Sequence, residues 1–167
     1  MHEMELIGVR VEMPTNAPMV LLRERGGTGR TVPIYIGAPE ATAIALALDG
    51  VDTPRPMTHD LMRDVLEELG VDVERIVVSD LHDKTFFAEI HMRRDDATHV
   101  VSSRPSDAIA LAARTGTPIF AAETVVDDAG YTESDDDDDD EDANESEEVV
   151  EEFKEFLDNI SPEDFEG

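Results

Sequence analysis

Ala43-Ile44-Ala45-Leu46-Ala47 recurs as Ala108-Ile109-Ala110-Leu111-Ala112, 65 residues further along the chain. Each run follows three strand-like segments. Each opens near a proline with an acid close by, Pro39-Glu40 in one and Pro105-Ser106-Asp107 in the other. The pattern reads as a duplicated strand–strand–strand–helix unit. Chance is the competing explanation, because Ala and Leu are among the best helix formers and recur readily. Alanine-rich helices are narrow, so each can approach a sheet or a second helix closely.

Upstream of the first run, Ile7, Val9, Val11 and Met13 alternate with Gly8, Arg10 and Glu12, the period of a half-buried strand. Pro14-Thr15-Asn16 reads as a turn, 19–25 as a second strand, and 31–36 as a third with Val32, Ile34 and Ile36 on one face. Gly26-Gly27-Thr28-Gly29 lacks the Lys-Ser/Thr ending of a phosphate loop, and a strand follows it rather than a helix, so it reads as a hairpin turn. Residues 39–48 form a helix with Ala41, Ile44, Ala45 and Leu48 on its apolar stripe and Gly50 as its stop. A loop with Pro54 and Pro56 leads to a helix capped by Thr58, with Leu61, Met62, Val65, Leu66 and Leu69 at helical spacing and Gly70 at its end. The second half predicts strands over 73–80, 85–93 and 98–103, turning at Asp83-Lys84 and Asp95-Asp96. A helix over 105–114 ends at Gly116, a short strand covers 118–121, and a helical turn 123–128.

The 167 residues carry 41 acids, 13 bases and no cysteine, for a formal charge of −28. No positive surplus exists for a simple basic nucleic-acid module, and disulfides or Cys-ligated clusters are excluded. No apolar run approaches the ~18–20 residues of a membrane span. The start, Met1-His2-Glu3-Met4-Glu5, lacks the basic flank and apolar stretch of a signal peptide, so a soluble cytoplasmic protein is expected. Residues 133–167 hold 19 acids and one base, Lys154, leaving residues 1–132 at −10. Only Lys84 and Lys154 are lysines; the other bases are arginine. An acidic body with few lysines and no cysteine points to a salt-loving organism. Residues 1–132 read as the folded domain, 133–144 as a disordered acidic linker, and 145–167 as an amphipathic helix and tail. That helix places Val149, Val150, Phe153, Phe156, Leu157 and Ile160 on one stripe, expected to dock on the body or on a partner.

Two polar clusters sit at predicted helix starts: Arg55-Pro56-Met57-Thr58-His59-Asp60 and Arg104-Pro105-Ser106-Asp107. A helix start offers free N–H groups to a phosphate, a neighbouring Arg adds a bidentate contact, and carboxylates in that turn suit a divalent cation. The structural alternative reads Thr58 and Ser106 as caps, with Asp60 and Asp107 complementing the helix dipole. The histidines do not group as metal ligands. A turn at Asp95-Asp96 pairs His91 with Val100 and Met92 with His99, which sends His91 and His99 to opposite faces.

Taken in order, five blocks carry a more specific signal. They are Gly29-Arg30-Thr31-Val32-Pro33-Ile34-Tyr35-Ile36-Gly37, Glu40-Ala41-Thr42-Ala43-Ile44, Arg55-Pro56-Met57-Thr58-His59-Asp60-Leu61, Thr85-Phe86-Phe87-Ala88 and Arg104-Pro105-Ser106-Asp107-Ala108-Ile109-Ala110-Leu111-Ala112. Over roughly residues 3–130 the chain resembles the bifunctional nuclease domain family. The resemblance implies an α+β fold with a mostly antiparallel sheet packed with alanine-rich helices, a homodimer, and nuclease activity on RNA and DNA. The family often has an Asp two positions before the Arg-Pro-Ser-Asp block, where this chain has Ser102.

On that basis the expected function is hydrolysis of phosphodiester bonds assisted by Mg²⁺ or Mn²⁺. Glu40, His59, Asp60 and Asp107 are the candidate catalytic residues, with His59 protonating the leaving oxygen. Asp60 and Asp107 are the candidate metal ligands, and Arg55, Arg104 and Ser106 the candidate phosphate contacts. The alternative is a non-catalytic regulatory or scaffold dimer, in which both Arg-Pro clusters are structural ion pairs.

Overall fold

The computed structural model describes residues 1–132; the expected acidic linker and C-terminal helix lie outside the described residues. The first half is a meander of β1 (His2–Glu12), β2 (Ala17–Glu24) and β3 (Thr31–Tyr35), followed by α1 (Ala38–Leu48). After α2 (Thr58–Glu68), a second meander of β4 (Asp72–His82), β5 (Thr85–Arg94) and β6 (Ala97–Ser103) leads into α3 (Pro105–Thr115). β7 (Ile119–Ala121) and α4 (Glu123–Ala129) close the described residues.

Among the described residues, seven strands form one sheet in the order β3-β2-β1-β7-β4-β5-β6. The fold is α+β, and the sheet is mostly antiparallel. The short β7 sits between the two meanders, antiparallel to β1 and parallel to β4. β1 and β4 therefore run in opposite senses, and the meanders extend outward on opposite flanks of β7. Each meander is followed by a helix, α1 or α3, and α2 lies between the two units in sequence. α4 packs against both β4 and β3, which three strands separate in the sheet, so the sheet curls around its core. Tyr131 then bridges back to Thr31, each donating its N–H to the other's carbonyl at 3.0 and 2.8 Å.

The core lies between the concave sheet face and α1 and α3. Met4, Val20, Leu22, Ile34, Ile76, Val78 and Ile90 meet Ile44, Ile109 and Leu111 there. α3 is apolar nearly all round and buried from Pro105 to Ala112 except at Asp107, as a helix enclosed on several sides must be. α1 and α2 both pack on it, the close approach that its alanines permit. An isolated 11-residue helix is marginal in water, so its order comes from this enclosure.

Three details correct the sequence reading. A bulge at Ile7 interrupts the alternation in β1: Leu6 pairs with Leu22 and Gly8 with Leu21, so Leu6 and Val9 both reach the core while Ile7, Val11 and Met13 stay exposed. Thr58 and Ser106 are not caps. The N-caps are Met57 and Arg104, and the carboxylate of Asp60 accepts the Met57 N–H at 2.9 Å, which serves the helix start without a threonine. α2 seats only Met62 and Leu66 of its apolar stripe against the core, leaving Leu61, Val65 and Leu69 exposed. The β5–β6 register is as the turn predicts, with His91 opposite Val100 and Met92 opposite His99.

Candidate active site where three helix starts meet

α1, α2 and α3 each carry an acid three residues after the N-cap: Glu40 after Gly37, Asp60 after Met57 and Asp107 after Arg104. The sheet brings the starts of α1 and α3 together, and α2 lies across α3, so the three acids and their neighbours form adjoining ion pairs.

The exposed group centres on Arg104. Its Nε donates to Asp107 Oδ2 at 2.7 Å, and its Nη2 donates to Glu40 Oε1 at 2.7 Å and to Asp107 Oδ1 at 3.0 Å. The buried His59 completes it, with Nε2 3.1 Å from Asp107 Oδ1. Burial pushes the Asp107 carboxyl up, but the bonds from Arg104 and His59 outweigh it and hold the group below the usual carboxylate range. An ionised carboxylate only accepts, so the His59 Nε2 is the donor. The Arg104 guanidinium is held still more firmly in its charged form, by Asp107 first and Glu40 second. Its side chain nevertheless remains 65% exposed, so it faces solvent while its two carboxylates are largely covered.

Asp60, next to His59 in the chain, turns elsewhere. Its Oδ1 accepts from Arg114 Nε, and Arg114 also donates to the Ala110 carbonyl at 2.8 Å. The Arg114 side chain is only 5% exposed. This bond, with the Met57 N–H second, lowers the Asp60 pKa against the effect of burial. Arg114 was not singled out in the sequence; its one visible signal is a cation in the last turn of a helix, an ordinary dipole partner. Arg55 stands exposed on the loop before α2 and makes no ion pair among the described residues, so it is not brought to the cluster. Ser106 is buried and lines a cleft of about 390 Å³ that opens beside Arg104.

Asp60 and Asp107 bond to different arginines and do not present a shared metal site. Among the described residues no group of three or more His, Asp and Glu side chains is placed to hold a metal. A two-carboxylate site does exist. Glu40 and Asp107 converge on one guanidinium nitrogen, which occupies the position of a cation between them. With the guanidinium displaced, that donor set would suit Mg²⁺, which is commonly held by one or two carboxylates, waters and substrate phosphates. The absent family acid does not bear on this group. Ser102 pairs with Glu89, which alternates with the core residues Ala88 and Ile90 and so lies on the far face of the sheet.

The bifunctional nuclease domain model matches residues 20–134. An uncharacterized protein of Mycobacterium tuberculosis is 45% identical over 167 residues, all of this chain and 99% of its own length. Bifunctional nuclease 2 of Arabidopsis thaliana is 30% identical over 112 residues, or 64% of this chain and 34% of the plant protein. Bifunctional nuclease 1 of the same plant is 28% identical over 105 residues, 61% of this chain and 32% of its own. The matched span includes all three helix starts and every member of both ion-pair groups, and the chain belongs to the bifunctional nuclease domain family.

Proposed function

We propose that this protein hydrolyses phosphodiester bonds of RNA or DNA at the Glu40–His59–Arg104–Asp107 cluster. One observation carries the reading: an arginine left exposed beside a cleft, clamped by two carboxylates of which one also holds a buried histidine. Arg104 offers its free edge to the charge that develops on the phosphoryl oxygens. Asp107 orients His59 and keeps a proton on its Nε2, as the third member of a nucleophile–base–orienter set does. His59 supplies the proton carried on Nδ1, the ring nitrogen not bound to Asp107, to the leaving oxygen, and Glu40 accepts one from the attacking water. Mg²⁺ or Mn²⁺ would supply Lewis-acid polarisation of a phosphoryl oxygen, with Glu40 and Asp107 to hold the ion once Arg104 has moved off them onto the phosphate.

The body of residues 1–132 carries −10, so nonspecific attraction to nucleic acid is weak and recognition is local to the site. The same charge supports a cytoplasm rich in salt as the working environment. A homodimer belongs to the proposal, and light scattering on the purified chain tests it. The competing reading, a non-catalytic scaffold, draws on the Asp60–Arg114 pair, whose arginine is buried and has no evident chemical use. The deciding experiment is an assay of the full chain on single-stranded and duplex RNA and DNA in potassium chloride, with Mg²⁺, Mn²⁺ or chelator. Divalent-dependent cutting that Asp107→Asn abolishes supports the nuclease. No cutting of any substrate in any of these conditions supports the scaffold.

A further inference from the structure

The 390 Å³ cleft lies between the end of β3, the β4–β5 turn and the start of α3, and it shares Arg104 with the cluster. Ile36, Phe86 and Pro105 line it with apolar surface, whereas Lys84 and Ser106 line it with polar groups. Its size is in the range of small-ligand pockets.

Lys84 is out of place in three ways. It is one of two lysines in a chain whose other bases are arginine. It sits in a two-residue turn with Asp83, at φ values of 61° and 49°. Such a turn favours glycine at its second position, because a Cβ is strained in the left-handed region. Among the described residues Lys84 also makes no ion pair, in a body with ten more acids than bases. Ser106 is a second, independent sign. The residue is 6% exposed and lines the cleft, yet its hydroxyl has no hydrogen-bond partner among the described residues. As the second and third residues of α3, Ser106 and Asp107 also have N–H groups without intrahelical partners.

We infer that this cleft is a nucleotide subsite. One phosphate of the strand rests on Lys84, the Ser106 hydroxyl and the start of α3, and its base lies against Ile36 and Phe86. A base reaches an apolar wall only when it is unpaired, so the substrate is a single strand. The inference rests on the nuclease reading and narrows it.

Lys84→Gly tests it, since the turn is exposed and glycine suits its backbone. Binding of a 5′-phosphorylated single-stranded trinucleotide to the full chain is measured by calorimetry across a salt series, alongside thermal melting and steady-state cutting. The variant should melt at or above the wild-type temperature and bind the trinucleotide about tenfold more weakly. Its salt slope should flatten by about 0.7, the value of one single-strand phosphate contact, and cutting should show a raised KM with kcat little changed. Trinucleotide binding unaffected by Lys84→Gly overturns the inference, as does inorganic phosphate binding as tightly as the trinucleotide, or duplex cut as efficiently as single strand. Lys84-dependent binding without any cutting leaves the subsite standing and removes the nuclease reading. Cutting with an unchanged KM in the variant does the reverse.

Discussion

His59 and Asp60 are neighbours at the start of α2, and their side chains join opposite kinds of ion pair. Through Asp107, His59 belongs to a group whose arginine is 65% exposed, whereas Asp60 holds an arginine that is 5% exposed. Both groups join an arginine to an acid three residues after an N-cap. The open group adds a second carboxylate and a histidine, and exposure of the arginine separates the two. Arg114 donates to Asp60 and the Ala110 carbonyl, and with its side chain 5% exposed it presents little to solvent. Arg104 keeps an open side toward a cleft. On the proposed reading, what lies beyond the arginine decides whether a carboxylate–arginine motif is structural or chemical.

The largest effect should come from breaking the closed pair. Asp60→Asn leaves Arg114 buried and charged with no anion, a loss of ~3–5 kcal/mol. Thermal melting should fall by about 10 °C or more, with any activity lost along with the fold. A variant that melts within two degrees of wild type would show that Asp60 is not a structural partner. Asp107→Asn sharpens the contrast from the other side. It should lower kcat at least a hundredfold, about 3 kcal/mol of barrier, while melting moves only a few degrees, because solvent can reach Arg104 when a partner is weakened. Unfolding of both variants would erase the distinction.

Acid should separate the contributions more gently. The folded Asp60 pKa lies below its unfolded value of about 3.9. Its stabilisation is thus complete above that range and lost as pH falls through the folded value. The gap in melting temperature between wild type and Asp60→Asn should be widest near neutral pH and close progressively below about pH 4; a gap constant down to pH 2 contradicts the pairing. Salt should have the smallest and most diffuse effect. Multimolar potassium chloride screens repulsion beyond ~3 Å, so melting of the body should rise by several degrees while nucleic-acid binding weakens. Equal melting in low and high salt would dissociate the acidic composition from any need for salt.

The elements were legible in the sequence because their signals are local. Alternation over residues 31–36 and 85–93, and alanine-rich periodicity over 105–114, mark strands and a helix wherever they pack. The register of His91 against Val100 follows from a two-residue turn alone. Partners chosen across the chain were not legible. Nothing in the triplet Ile119-Phe120-Ala121 says that it will occupy the middle of the sheet, and nothing near Asp60 names an arginine 54 residues away. The candidate site divides the same way. The acids and arginines at the helix starts were visible, but their assignment to an open or a closed group depends on how α2 crosses α3. In the sequence Lys84 is only half of a turn, because a sequence does not display the dihedral that makes a lysine costly there.

The position of β7 bears on how the protein is made. The two meanders are joined through three residues that leave the ribosome after nearly everything they connect. His2 waits for Ala121, and Ile76 for Ile119. During synthesis the first meander must persist with one edge unpaired, and the closing contacts span almost the whole body, a topology that slows folding. An open strand edge recruits other strands. Nascent chains of this protein are thus exposed to mispairing until the last fold-defining residues emerge, and the strong like charge on every copy opposes that encounter.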